Sequence, residues 1–144
     1  MSEGRKPIDF VITGTPRSGT SYIARILSYL GIECGHELVF NPWNFRYQEM
    51  RSNGKLWGES SWMAVPFLEN IPSTTKVFHI VRNPIKTINS IIGTGHIHWP
   101  TDYRTFLALH CWGDENYWPS DVPAAAQECW MMWNAMVERS GKSD

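Results

Sequence analysis

The chain carries no surplus of either charge. Thirteen lysines and arginines face 14 aspartates and glutamates, a formal net charge of -1 over 144 residues. Proteins that hold nucleic acid or an anionic membrane through their overall field need a basic excess, so neither is expected as a partner and any anion binding has to be local. Cysteine is scarce as well. Cys34, Cys111 and Cys129 are odd in number and form no C-x-x-C pair, which argues against a disulfide framework and fits a reducing, cytoplasmic setting. No apolar run is long enough for a membrane span, and the polar start Met1-Ser2-Glu3-Gly4-Arg5-Lys6-Pro7 is followed by an apolar stretch too short for a signal peptide. Internal repeats, low-complexity tracts and Pro/Ser-rich linkers are missing, so residues 1–144 are expected to form one domain around one core. Zinc-ligand spacing is missing too: His96-x-His98 and His110-Cys111 have no second pair to complete a set, and no metal is expected.

What is present is concentrated in one stretch. Asp9-Phe10-Val11-Ile12-Thr13-Gly14-Thr15-Pro16-Arg17-Ser18-Gly19-Thr20-Ser21 passes from a short apolar strand through a turn with a glycine at each end, then into an apolar-periodic run over 22–30. At such a junction backbone N–H groups and a helix N-terminus converge on one point and form an anion site, for which phosphate is the natural guest. The spacing is that of the Walker A loop, G-x-x-x-x-G-K-[ST], except that Thr20 stands in the lysine position. Without that lysine a triphosphate loses its main counter-charge. The cation sits earlier, at Arg17, where a guanidinium can fork onto one terminal group. This suits a 5′-phosphate bearing a transferable group better than a metal-bridged triphosphate.

The pattern along the chain predicts a buried strand over 7–13 and a helix over 21–30, with Tyr22, Ile23, Ile26, Leu27 and Leu30 on its apolar face and Gly31 as its C-cap. The stretch 32–45, with Asn41-Pro42, reads as a loop carrying Cys34-Gly35-His36-Glu37. A short strand over 55–59 and a short amphipathic helix over 62–70, in spite of Pro66, come next. Glu59-Ser60-Ser61-Trp62 between them is read mainly as a helix N-cap by Ser60 or Ser61, with contact to an acceptor as the alternative. A second buried strand over 73–82 leads into a helix over 85–92 with Pro84 at its first turn. Loops over 93–100 and 113–123 separate helices over 101–112 and 124–139. Two strand-to-helix junctions with arginine and hydroxyls at each imply a parallel sheet whose C-terminal edge holds the ligand. The fold class expected is α/β, a three-layer P-loop-like fold with a small central parallel sheet flanked by helices. Eight tryptophans cluster after the first helix and read as a large-residue core or a pocket lining. Those of the last helix, Trp130 and Trp133 with Met131 and Met136, are expected in the core or at an interface, including one between copies of the chain.

Val81-Arg82-Asn83-Pro84, with Ser90 eight positions beyond Arg82, forms a pair with Gly14-Thr15-Pro16-Arg17-Ser18-Gly19-Thr20. Arg82 leaves its strand at the sheet edge, and Ser90, two turns into the next helix, projects from nearly the same side. Together the two motifs resemble the sulfotransferases that use 3′-phosphoadenosine 5′-phosphosulfate (PAPS), and bacterial-type or protein-tyrosine-type members most. The resemblance runs from about Asp9 to the helix with Trp130-Met131-Met132-Trp133-Asn134. Members of that family extend beyond a helix of this kind, so the resemblance implies a chain short at its C-terminal side. It implies that the first loop, Thr15, Pro16, Arg17, Ser18, Gly19, Thr20 and Ser21, cradles the 5′-phosphosulfate, and that Arg82 and Ser90 hold the 3′-phosphate. PAPS, or adenosine 3′,5′-bisphosphate after transfer, is then the cofactor, with no metal. Glu37 falls where such enzymes carry the proposed general base, soon after the first helix.

Sulfuryl transfer asks for in-line placement and for stabilisation of charge on the equatorial and leaving oxygens, which loop N–H groups and Arg17 can supply. Glu37 is the first candidate for the base that takes the acceptor proton and His36 the second. The expected function is transfer of a sulfuryl group to a hydroxyl of a small molecule, glycan or lipid. Two alternatives stand beside it: a nucleotide kinase with a degenerate Walker A, and a non-catalytic nucleotide-binding or interaction remnant of the same fold. The loops over 41–53 and 93–102 offer aromatics without a constellation that identifies the acceptor.

Overall fold

The apolar run ahead of the glycine turn forms β1 (Phe10–Gly14), buried at all five positions. The structure, a computed structural model, describes residues 7–42, 44–45, 55–93 and 101–143. In it β1 lies inside a four-stranded parallel sheet of order β2-β5-β1-β6, where β2 is Glu33–His36, β5 is Trp57–Ser60 and β6 is Lys76–Ile80. A separate antiparallel pair, β3 (Phe40–Asn41) and β4 (Asn44–Phe45), follows β2. Five helices are described: α1 (Thr20–Tyr29), a 3-10 helix (Trp62–Asn70), α2 (Pro84–Gly93), α3 (Thr101–Trp112) and α4 (Val122–Ser140). The fold is therefore mixed α/β around a small parallel sheet. Among the described residues no helix is long and apolar enough to cross a membrane.

Side chains alternate across β1 and divide the packing. Val11 enters the main core with Met63, Leu68, Val77, Trp133 and Val137, each almost wholly buried. Phe10 points the other way, and its ring occupies the space where a Cβ on Gly58 would stand, which is why a glycine sits there in β5. Trp133 ties α4 to the start of the 3-10 helix, its indole N–H donating to the Trp62 carbonyl at 2.8 Å. Trp133 is thus core, Trp130 is half-buried, and the large apolar side chain that α4 exposes is Met131.

Helix ends follow local chemistry. Gly31 has φ 81° and donates to the Ser28 carbonyl while Ile32 donates to Leu27, the paired bonds of a Schellman stop for α1. Asn83 caps α2, its side-chain oxygen accepting from the Lys86 amide at 3.0 Å, with Pro84 as the first helical residue. Ser61 caps the 3-10 helix, accepting from the Met63 amide at 3.2 Å, so the capping reading of 59–62 holds at Ser61. Pro66, without an N–H to donate, lies in that helix, which is 3-10 instead of α.

Three sequence expectations are corrected. The stretch 32–45 is not simply a loop: Glu33–His36 is an edge strand pairing with β5, because Gly35 leaves room for a buried side chain of β5 beneath it. β6 is an edge strand, and only Val77 is buried in it, while Phe78 is 45% exposed. Its outer side meets a single parallel bridge from Val77 to Ser143. α1 does not bury the whole of its predicted apolar face, since it packs on β2 and β5, and Tyr22 and Leu30 remain exposed. The predicted loop over 93–100, with His96 and His98, lies largely outside the described residues. His110 and Cys111 belong to the aromatic core around Phe67, Phe106 and Trp133.

Candidate functional site

All four strands are parallel, so their carboxyl ends open on one edge, where ligands of open α/β sheets bind. A cleft of about 450 Å³ lies there. The turn after β1 contributes Arg17 and Gly19, and α1 contributes Thr20, Ser21, Tyr22 and Arg25. His36 and Glu37 reach it from the end of β2, Arg82 from beyond β6, and Trp62 and Tyr103 from the helices. Three guanidiniums against one carboxylate make the cleft locally positive in a chain of nearly balanced charge.

The glycine turn is closed by a bond from the Ser18 amide to the Thr15 carbonyl, 3.0 Å. Gly19 is the N-cap of α1 with φ 114°, no side chain caps the helix, and its first turn holds no acid. The first-turn amides and the positive end of the helix dipole therefore stay available to an anion in the cleft. A Cβ on Gly14 would overlap the Ile80 carbonyl oxygen and stand 2.8 Å from Ser18 Oγ. Backbone cannot yield as a side-chain tip can, so Gly14→Ala is expected to cost about 1–3 kcal/mol in chemical denaturation.

The two arginines predicted at separate strand exits meet. Arg82 Nη1 donates to the Arg17 carbonyl at 3.1 Å, and Arg17 Nε donates to Ser90 Oγ at 3.1 Å. Thr15, Pro16 and Ser18 do not line the cleft; they are buried beneath it and shape the turn. Ser18 Oγ has no hydrogen-bond partner among the described residues. Ser90 stands beside the cleft and touches it through Arg17.

On the opposite side, His36 Nδ1 lies 2.8 Å from the Ser60 carbonyl. A carbonyl only accepts, so Nδ1 carries a proton and Nε2 is the nitrogen turned to Glu37, 3.6 Å from Oε1. Tyr103 donates its hydroxyl to Glu37 Oε2 at 3.4 Å, and burial, followed by the Glu37 charge, pushes the phenol pKa up. Arg17, φ 68°, and Glu37, φ 56°, are the two non-glycine residues in the left-handed region among those described. Backbone strain of this sort collects at functional sites, and here both strained residues face one cleft.

Beneath His36 and Glu37 sits Glu59, with no exposed surface. Its Oε1 accepts from the Leu38 amide at 2.7 Å and the Val39 amide at 3.2 Å, while Oε2 has no partner among the described residues. Burial pushes its pKa up from 4.5 to about 7; the amide bonds oppose this and the Glu37 charge adds to it. Cys34 is half-buried, and its own burial, followed by the Glu59 charge, raises its thiol to about 11. A carboxyl whose folded pKa is raised favours the fold below its unfolded pKa and gives that up as pH rises through the folded one. Between pH 4.5 and about 7 the loss is about 3 kcal/mol. Denaturant titrations at pH 5 and pH 8 are expected to show Glu59→Gln gaining on wild type by an amount of that order at the higher pH.

Sequence reasoning brings Arg17, Gly19, Thr20, Ser21, His36, Glu37 and Arg82 to the cleft, and misses Tyr22, Arg25, Trp62 and Tyr103 as lining residues. Arg25 had a signal: it lies one helical turn beyond Ser21. Tyr103 had none, since nothing local says that α3 approaches β2. Ser60 and Ser61 are wholly buried and unavailable to an acceptor. Among the described residues no group of three or more His, Cys, Asp or Glu is arranged to hold a metal ion. No family model matches the chain, and no curated protein matches it.

Proposed function

We propose that the chain is a PAPS-dependent sulfotransferase that acts on a hydroxyl acceptor. The observation that carries this reading is the linkage of Arg82 to the Arg17 carbonyl and of Arg17 to Ser90, which joins both motifs at one cleft. The cleft volume is within the range of nucleotide-sized ligand sites. The fit is chemical as well as spatial: uncapped amides and Arg17 suit the 5′ end of a bisphosphorylated nucleoside, and Arg82 with Ser90 suits a 3′-phosphate. The fold is read in the same terms, as a three-layer P-loop-like arrangement with α1 on one face of the sheet and α4 with the 3-10 helix on the other.

PAPS, when bound, supplies the sulfuryl group and a bisphosphate leaving group. The chain's own residues do the rest. Glu37 takes the proton of the acceptor hydroxyl, His36 stands next to it as the second candidate, and the acceptor oxygen forms its new bond to sulfur as the bond from sulfur to the phosphate oxygen breaks. Arg17 and the first-turn amides face the charge that builds on the leaving oxygen. Trp62 and Tyr103 offer aromatic surface for the acceptor, a small molecule, glycan or lipid. The setting proposed is the cytoplasm.

Calorimetry with adenosine 3′,5′-bisphosphate in the presence of EDTA tests the reading. Micromolar binding that Mg²⁺ does not change is expected. Absence of binding would remove the proposal, Mg²⁺-dependent ATP binding would turn it to a kinase, and PAPS binding with no transfer to any of a range of hydroxyl acceptors would turn it to a non-catalytic remnant.

A further inference from the structure

The turn that carries His36 and Glu37 is held from a place the cleft never reaches. Glu59 is wholly buried in β5, on the same side of the sheet as Val11, its register partner in β1. Its Oε1 takes the amides of Leu38 and Val39, the two residues directly after Glu37. Its Oε2 fills the space that Gly35 of β2 leaves, and a Cβ there would overlap it. Glu37, in the left-handed region at φ 56°, depends on what fixes the backbone on either side of it. On one side that is the pairing of Glu33–His36 with β5, and on the other it is the Glu59 carboxylate. A buried carboxylate with one oxygen unpartnered costs stability, so a hydrophobic residue in β5 would serve the core better.

We propose that Glu59 is a positioning residue for the proposed transfer reaction: it clamps the turn after β2 so that Glu37 and His36 are presented to the acceptor hydroxyl. This deepens the sulfotransferase reading and rests on it for the identity of the reaction, whereas the clamp itself can be measured without any reaction. The charged and titratable groups that bear on Glu59 are Cys34 on β2 and Glu37 on the turn, with Tyr103 of α3 reaching it through Glu37. β1 presents Val11 beside it and no charge. Burial raises its pKa to about 7 in the closed turn, so ionisation disfavours that turn and the clamp is firmest below neutrality.

Amide hydrogen exchange of the full chain at pH 6 and pH 8 tests the clamp. In wild type the protection factors of Leu38 and Val39 are expected to fall by about tenfold between the two pH values, because the carboxyl holds its raised pKa only in the closed turn. In Glu59→Gln, which keeps the acceptor oxygen and the shape but cannot ionise, they are expected to stay level between the two pH values. Gly35→Ala, which drives a methyl group into Oε2, is expected to lower the same two amides and serves as the second variant. With PAPS and 4-nitrophenol as the acceptor probe, Gly35→Ala is expected to lower kcat about tenfold with the KM for PAPS unchanged. A fall with pH in Glu59→Gln equal to that in wild type, or a loss in Gly35→Ala shared evenly by the β1 amides, would overturn the clamp. If wild type neither binds adenosine 3′,5′-bisphosphate nor transfers, the sulfotransferase reading fails while the exchange result still decides on Glu59.

Discussion

Arg82→Ala is expected to weaken adenosine 3′,5′-bisphosphate binding by about 100-fold and to leave the melting temperature near that of wild type. The size follows from the two things one guanidinium does. It offers charge-assisted hydrogen bonds to a phosphate, each worth about 1.5–3 kcal/mol, and every 1.4 kcal/mol is a factor of ten. It also donates to the Arg17 carbonyl, so its loss releases the neighbouring turn. Arg17→Ala is expected to lose as much, since it removes a second guanidinium and the contact to Ser90. Both side chains are exposed, so neither substitution opens a cavity or strands a buried charge. Ser90→Ala, which deletes one neutral hydroxyl, is expected to cost about tenfold or less. Isothermal titration with each variant measures the series; equal affinity in wild type and Arg82→Ala would separate the second motif from the ligand.

Glu37→Gln is expected to slow transfer by about 10² to 10⁴ while the nucleotide binds as before. The amide keeps the length of the side chain and the contact with Tyr103, but it accepts no proton from the acceptor. His36→Gln, by the same logic, is expected to lose about tenfold, because its Nδ1 proton is committed to the Ser60 carbonyl and only Nε2 faces Glu37. Single-turnover transfer from PAPS, with binding of adenosine 3′,5′-bisphosphate measured in parallel, separates the two effects. Should Glu37→Gln turn over as wild type does and His36→Gln fail, the base is His36.

The elements that sequence made legible are those whose signals are local. β1 reads from an unbroken β-branched run, α2 from Asn83-Pro84, α1 from its glycines, and α3 from the register of its predicted bounds, which are those observed. β2 is not legible, because Glu33-Cys34-Gly35-His36 has neither alternation nor apolar content, and what makes it a strand is a partner three strands on in sequence order. The half-exposed character of β6 was hidden for a related reason: an apolar run says that a strand wants cover, and only the topology shows which side lacks it. For the site, the residues at the two junctions could be placed by spacing, since a strand exit and a helix turn fix them to the same edge. Tyr103 and Trp62 come to that edge through packing of the aromatic core, with ring centroids 6.2 Å apart, and no short-range pattern encodes such an approach. In the sequence Glu59 reads as part of a capping motif and not as a buried carboxylate, for its burial depends on Gly35 across the sheet.

Arg17 and Glu37 each occupy a backbone conformation that glycine adopts at lower cost, by about 1 kcal/mol. A variant library ranked only by resistance to heat would therefore enrich glycine at both positions. The same library ranked by turnover would discard those clones first, and the divergence of the two rankings at 17 and 37 would mark where this chain trades firmness for chemistry.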